Sequence, residues 1–425
     1  MSQTTQIVEV LLEKAMMTYE SQQSMLPMVS FFEPDGDKLQ ISGNVVWRPV
    51  QQHAPIISGF DISTQETDII EEAYPAVLGD PQNDFVVQRA DQVRDLQYWE
   101  RRGEQSGRRQ ASNLNQQIVS AMTLQGSLFT TSAATSGYPF IGEGQALMNE
   151  RQGYESMRYY MLNDRDTLKF ATDLAARQTL QGRPEDTWKK GQIGQNVAGF
   201  DVYTGSFLPN LIGGASPDAT VTGAQTFAPE GGTVNATTRV VTNVDYREAV
   251  IPVSASASYN IGDKIKFVNV STGDIIAVGL DDKTVTDQAM TFTIVAKPTG
   301  TSITIFPKPI AADDAALSDL EKAYANVDTI ITNLSVVTRL NTAASNKVNL
   351  FWDKDAVEVL GGNIPVELFK QFDGMKVVST TMSNGQQMYI LYDGDIATLN
   401  FRFRIFTWFG ITIADPQRVG IALTT

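Results

Sequence analysis

Between Pro81 and Pro139 the chain runs without proline, and within that span the residues from Asp91 to Gln125 carry a sustained helical pattern. Leu96, Trp99, Gly103, Gly107, Ala111, Leu114, Ile118 and Ala121 step by three and four, which sets them on one narrow stripe. Off the stripe stand charged and amide residues, Arg101, Glu104, Arg108, Arg109 and Gln116 among them. At 1.5 Å per residue such a helix runs about 50 Å, longer than most globular helices. That suits a strut, and it also suits a surface helix on one large enzyme. Gly103 and Gly107 cost about 1 kcal/mol each relative to alanine, so this half either bends or lets something pack close to its backbone. Asp91 or Asp95 can cap its start.

A chain of 425 residues exceeds one ordinary core, so two or more domains, or a domain with an insertion, are expected. With 42% hydrophobic and 19% charged residues it is a folding composition. No run approaches the roughly 18 apolar residues of a membrane span, and the first residues lack the order of a signal peptide, so a cytoplasmic site of synthesis and no membrane partner are expected. The absence of cysteine excludes disulfides and thiolate chemistry, and the single histidine, His53, lies in a polar, Pro-flanked stretch typical of solvated loops. A net charge of −15 argues against a sequence-specific nucleic-acid binder, yet it suits a container that holds DNA without adhering to it.

Taken in order, Thr5 to Glu20 reads as an amphipathic helix with Ile7, Val8, Leu11, Leu12, Ala15, Met16 and Tyr19 on one face and Glu9, Glu13 and Glu20 off it. Pro27, Pro34 and the Asp35-Gly36-Asp37 turn cut it off from the rest of the chain, so its apolar face is expected on another surface and not on its own domain. Strands are expected at Gly43 to Val50 and Phe85 to Gln88, with an extended two-stranded excursion between them. Beyond the long helix, a Thr/Ser/Ala/Gly-rich stretch to Gly137 precedes a helix near Glu143 to Met157 and a strand at Arg158 to Leu162. Asn163 or Asp164 caps a further helix, Gly182 to Gly194 is a polar loop, and Val197 to Tyr203 returns as one strand.

From about Val221 to Thr338 the composition turns to Thr, Val, Ser, Gly and Asp, with short strands near Ala249 to Ala255, Lys264 to Asn269, Asp274 to Val278, Thr291 to Ala296 and Ser302 to Phe306. That spacing predicts an inserted all-β domain, autonomous in folding, as a small barrel or sandwich. The main domain resumes with a strand at Lys347 to Trp352 and a helix near Asp355 to Gly361. Asn384-Gly385 marks a type I′ hairpin, and Phe401, Phe403 and Ile405 alternate with Arg402 and Arg404 along another strand.

No phosphate loop, dinucleotide fingerprint, nucleophile elbow or zincin helix is present. The acids at Asp281, Asp282 and Asp287, and at Asp393 and Asp395, lack a calcium-loop spacing and read as turn aspartates. A β-rich carbohydrate-active enzyme needs only two suitably spaced carboxylates and stands as the alternative, although no pair is singled out. The long helix's arginines are interleaved with acids and read as a solvated face.

Collinear stretches then carry a family likeness: Val46-Trp47-Arg48-Pro49-Val50, Gly79-Asp80-Pro81-Gln82-Asn83-Asp84-Phe85, Arg89-Ala90-Asp91, Val197-Ala198-Gly199-Phe200-Asp201, Val221 to Phe227, Pro307-Lys308-Pro309, Ala323 to Val327 and Phe351-Trp352. Over essentially its whole length the sequence resembles the coat proteins of short-tailed lambdoid bacteriophages, the P-twenty-two-like group. The resemblance implies an α+β chain with the Hong Kong phage capsid fold: N-terminal arm 1–34, peripheral domain 35–50 and 81–130 with spine helix 91–125, extended loop 51–80, axial domain and returning strands 131–220 and 339–425, and an inserted β-barrel 221–338. It implies a major capsid protein, not an enzyme, with no cofactor. Copies would assemble as hexamers and pentamers around scaffolding protein into an icosahedral procapsid that expands as double-stranded DNA enters. Portal protein and packaged DNA, by non-specific contact, are further implied partners, and the virion capsid is the implied location. By the same resemblance Glu9 and Glu13 are scaffolding-binding candidates. Asp245, Arg247 and Glu248 are candidates for contacts between capsomers, and Trp99, Ala111, Leu114 and Ile118 form the spine's packing face.

Overall fold

The computed structural model describes residues 3–34, 44–50, 60, 72–89, 96–132, 138–152, 156–169, 192–215, 218–230, 245–342, 344–364, 366, 376–395 and 399–424. The excursion apart from residues 60 and 72–80, His53, both candidate caps at Asp91 and Asp95, and residues 231–244 lie outside them. The chain divides into two compact units, Met1–Val46 with Ala76–Ile118 and Glu358–Thr412, and Trp47–Pro75 with Val119–Val357 and Ile413–Thr425.

In the first unit a four-stranded antiparallel sheet runs in the order Lys376–Thr381, Gln387–Asp395, Asn400–Thr407, Gln82–Arg89. Phe403 and Ile405 are buried while Arg402 and Arg404 are exposed, the period of two that one covered face demands. The long helix spans Leu96–Gln125, 30 residues. Trp99, Ala111, Leu114 and Ile118 are fully buried, Trp99 with its ring centroid 4.8 Å from that of Phe403, and Gln110 Nε2 donates to the Ile405 carbonyl at 3.1 Å.

The N-terminal helix, Gln3–Gln22, does not leave its own unit. Val8, Leu11, Leu12, Ala15 and Tyr19 are buried, and the contact runs over the two glycines of the long helix. A Cβ at Gly103 would stand 2.7 Å from the Leu11 carbonyl oxygen, and one at Gly107 would stand 2.3 Å from that of Ala15. Of the two roles open to these glycines, close backbone approach is therefore the one they serve. The expectation of a detached arm fails because Pro27 sits inside a single 3-10 turn, Leu26–Met28, whose Leu26 and Met28 are themselves buried.

Several expectations about local structure are corrected. Asp355 to Gly361 is not helical: a 3-10 turn, Lys354–Ala356, leads into the strand Val357–Gly361, buried at every position and parallel to Ser30–Phe32. A strand covered on both faces loses the alternation that would have marked it. The Asn384-Gly385 hairpin is present, but only Gly385 has positive φ (90°), while Asn384 Oδ1 accepts from the Gln386 amide. A type I′ turn requires positive φ at both central residues, so this is a longer loop with glycine in its left-handed position.

The second unit holds a mixed sheet in the order Leu128–Ser132, Val419–Thr424, Ser345–Asp353, Arg158–Asn163, Phe200–Gly205, Gln192–Val197, with Asn210–Ile212 on the third strand. By composition Leu128–Ser132 reads as irregular chain, and residues 192–194 as the end of the polar loop; the first is a strand and the second opens the strand Gln192–Val197. What reads as one strand from Val197 to Tyr203 is broken by a turn at Ala198 and Gly199, both at positive φ. The helix Tyr138–Glu150 begins and ends earlier than expected and covers the sheet with Phe140, Ile141 and Met148, against Tyr160, Phe200 and Phe351. Asn163 caps the helical residues 164–169 as expected, its Oδ1 accepting from the amides of Arg165 and Asp166 at 3.0 Å.

The inserted strands follow the order Ala219–Thr220, Val336–Arg339, Lys264–Asn269, Phe292–Thr299, Ser302–Phe306, Ala249–Pro252 around a core of Ile251, Phe267, Phe292, Ile294, Ile303, Ile305 and Val337. Among the described residues no strand pair closes this sheet into the expected barrel; its two ends meet only at the isolated bridge Val221↔Val253. A separate hairpin, Ile276–Val278 with Val285–Ala289, adds a strand that the sequence pattern does not mark.

Candidate functional site

The covered face of the N-terminal helix fixes which face is free. Glu9, Glu13 and Met17 are exposed and succeed one another at intervals of four, so they form a single outward stripe. The platform beneath is rigidly tied within the first unit. Tyr19 Oη donates to Gln386 Oε1 at 2.9 Å, the Ser383 amide donates to Glu20 Oε1 at 2.7 Å, and Asn384 Nδ2 donates to Gln23 Oε1 at 3.1 Å. Burial pushes the Tyr19 hydroxyl well above its ordinary range, against the opposing pull of the neighbouring Gln23, Gln386 and Thr407 side chains, so it stays a donor at any working pH. The stripe thus presents two carboxylates one helical turn apart, with an apolar side chain one turn further on.

The three residues expected to face a neighbouring capsomer part company. Arg247 is turned inward: Nε and Nη2 reach the Asp245 carboxylate at 3.0 and 2.7 Å, and Nη1 donates to the carbonyls of Ile413 and Ala414 at 2.8 Å each. Its guanidinium carbon also lies 4.2 Å from the Tyr74 ring centroid and 5.0 Å from that of Phe306. Asp245 and Glu248 keep partial exposure. Burial first, and then Asp245, push the Glu248 carboxyl up to about 7, with Arg247 pulling it down.

Two functional-looking groups carry no mark in the sequence. Lys264 is completely buried at the end of the long helix, where Nζ donates to the carbonyls of Thr123 at 2.9 Å and Gly126 at 2.5 Å and to Thr293 Oγ1 at 2.6 Å. Burial holds its ammonium well below the ordinary lysine range, with Asp263 acting in the opposite sense. Glu72, the second of two adjacent glutamates, lines a cavity of about 280 Å³ together with Tyr74, Arg247, Lys308, Tyr324 and Arg418. Nothing in the spacing of either residue singles it out.

Of the five acids read as turn aspartates, Asp281 and Asp282 lie in a turn, whereas Asp287 lies within the strand Val285–Ala289 and Asp393 and Asp395 within the strand Gln387–Asp395, where chain pairing and not local turn chemistry sets the backbone. Asp282 accepts from Gln152 Nε2 and from the amide and hydroxyl of Thr284, and these bonds, Gln152 first, hold its carboxyl below the usual range. Among the described residues no group of three or more acids and histidines is placed to hold a metal ion.

Residues 1–425 match the family model described as P22 coat protein, gene protein 5. Among solved structures, the chain is similar to the I-domain of the CUS-3 coat protein at 30% identity, covering 30% of this chain and 100% of that one, with a TM-score of 0.21. It is also similar to the capsid of the cyanophage P-SCSP1u at 10% identity, covering 94% and 86% of the two chains, with a TM-score of 0.43. The head structure of the Helicobacter pylori bacteriophage KHP40 matches at 9% identity, 96% and 91% coverage and a TM-score of 0.43.

Proposed function

We propose, from the premise that this chain belongs to the P22 coat protein family, that the Glu9–Glu13–Met17 stripe receives a basic helical segment of a scaffolding protein during shell assembly. The chain is a bacteriophage major capsid protein, located in the icosahedral shell of the virion and associating with copies of itself. The carbohydrate-active alternative is set aside, since the family is one of shell subunits and not of enzymes. The observation that carries the proposal is that the apolar face of the N-terminal helix is used up within its own unit, leaving an outward face headed by two carboxylates.

Exposed ion pairs contribute about 0 to 1 kcal/mol each and are screened over roughly 8 to 10 Å at moderate salt. Many copies acting together would hold scaffolding on a shell while each contact stays easy to release. Glu13→Lys is expected to leave the subunit fold intact and to yield procapsids depleted of scaffolding, and wild-type procapsids are expected to lose scaffolding as salt rises. Wild-type scaffolding content in the mutant, read by gel densitometry of purified procapsids, would refute this role.

Hexamers and pentamers as the capsomers, a portal protein as a further partner, and non-specific contact with packaged double-stranded DNA belong to the same proposal. The loop expected at 51–80 is shortened by the strand Ala73–Val77, which pairs with Val45–Pro49 of the same chain, and the reach of the remainder onto a neighbouring subunit belongs to the same proposal. A net charge of −15 supports a wall that does not bind DNA tightly. Contacts between capsomers fall to Asp245 and Glu248, whereas Arg247 serves the interior.

A further inference from the structure

Glu72 stands where the excursion rejoins the fold. The strands Val45–Pro49 and Ala73–Val77 pair as a two-stranded ribbon, and just beyond them the Val50 amide donates to the Glu72 carbonyl at 2.8 Å. Within the second unit this ribbon end rests on inserted-domain residues: the Glu72 amide donates to Tyr324 Oη at 3.1 Å, and the Trp47 ring lies 6.1 Å from that of Tyr246. The Arg247 guanidinium lies over the Tyr74 ring and over the Phe306 ring. Among the described residues the Trp47 indole Nε1 is buried without a hydrogen-bond partner, and the Glu72 carboxylate lacks an ion pair.

The charges around it have been allotted elsewhere. Arg247 is taken by Asp245 and two carbonyls, and Lys308 Nζ by the Ala228 carbonyl at 3.3 Å and Glu230 at 3.8 Å. Farther round the cavity, Arg418 pairs with Asp353 and Asp415, Lys283 Nζ points at the Ala325 carbonyl at 3.5 Å, and Asp355 completes the wall. Among the described residues the Glu72 carboxylate, in a residue only 5% exposed, forms no ion pair. Among the described residues the cations that act on Glu72 are Lys308 and Arg247, and they are already engaged with Glu230 and Asp245.

We propose that Glu72 is a proton-operated clasp, which seats the root of the excursion on the inserted domain when its carboxyl is neutral and loosens that seat when it ionises. Removing a carboxylate from water without a partner disfavours the charged form. Burial accordingly pushes the Glu72 carboxyl from 4.5 up to about 7, with Lys308 and then Arg247 pulling it back and Asp245 and Glu230 adding to the rise. Linkage fixes the sign: the seated state binds the proton more tightly than the open one, so opening grows as pH rises from about 4.5 to about 7 and levels off above that.

The test uses full-length protein and amide exchange by mass spectrometry over residues 47–50 and 72–75, corrected for intrinsic rates, at pH 5, 6, 7 and 8. Wild-type opening is expected to rise tenfold or more from pH 5 to 7 and to change little from 7 to 8. Glu72→Gln is expected to remain as closed at pH 8 as wild type is at pH 5. Glu248→Gln, which removes the raised carboxyl beside Asp245 and Arg247, is expected to keep the wild-type dependence. A flat wild-type profile overturns the clasp without recourse to any variant. So does a Glu72→Gln profile that still climbs, and so does transfer of the whole dependence to Glu248→Gln.

Discussion

The long helix is held in two different ways at its two ends. In its first half, within the first unit, the N-terminal helix lies directly on Gly103 and Gly107, and the contact is backbone against backbone. At its far end, within the second unit, a buried ammonium and two threonine hydroxyls supply donors: Lys264 reaches Thr123 and Gly126, Thr293 Oγ1 reaches Gly126, and Thr291 Oγ1 reaches Ser127. The difference lies in what a helix leaves undone. Mid-helix, every backbone group already has a partner, so only shape remains to be matched and glycine matches it best. In the last turn the carbonyls have no intrahelical partner, so an element packed there has to bring hydrogen-bond donors, and a cation suits the negative end of the helix dipole.

The largest expected effect comes from closing the gap at the glycines. Gly107→Val drives a side chain into the Ala15 carbonyl and is expected to cost about 3 kcal/mol or more, read as a drop in denaturation midpoint or as loss of soluble subunit. A variant melting with the wild type would mean that the two helices do not approach this closely. Lys264→Met is expected to cost less, about 2 kcal/mol, because it strands buried carbonyls while also removing a buried charge. Its measure is the denaturation midpoint, with amide exchange over 119–128 to show that the loss is local. If Lys264→Met proved more stable than wild type, the lysine would be a burden at this helix end and not its cap. Tyr19→Phe is the mildest, about 1 kcal/mol, since it deletes one buried bond to Gln386 and leaves the apolar contact intact. An unchanged midpoint there would assign the whole first-half contact to shape.

The same division governs how much of the molecule is legible in its sequence. The helix stripe, the strands Lys264–Asn269 and Ser302–Phe306, and the alternation around Phe403 are written in local periodicity, and they stand in the structure where that periodicity puts them. Val357–Gly361 reads as a helix because burial on both faces erases its period, and Leu128–Ser132 passes for loose chain because its pairing with Val419–Thr424 depends on residues nearly 300 positions away. The candidate sites divide likewise. Spacing alone sets Glu9 and Glu13 off the apolar face, whereas the inward turn of Arg247, the burial of Lys264 and the isolation of Glu72 depend on which distant charges meet. Sequence spacing carries no record of that.

One pairing in the second unit sets the terms on which the inserted segment is carried. Ala219 lies opposite Val337 and Thr220 opposite Val336, so the chain leaves and returns through antiparallel neighbours whose Cα atoms stand about 5 Å apart. To the rest of the subunit, everything from Val221 to Ser335 is the tip of a hairpin, and a turn of two residues would span the same gap. The joint is a socket, indifferent to the length of what is plugged into it. It is not indifferent to chemistry, because a replacement has to present donors to the carbonyls of Thr123, Gly126 and Ser127 or leave the long helix ending in unanswered oxygens.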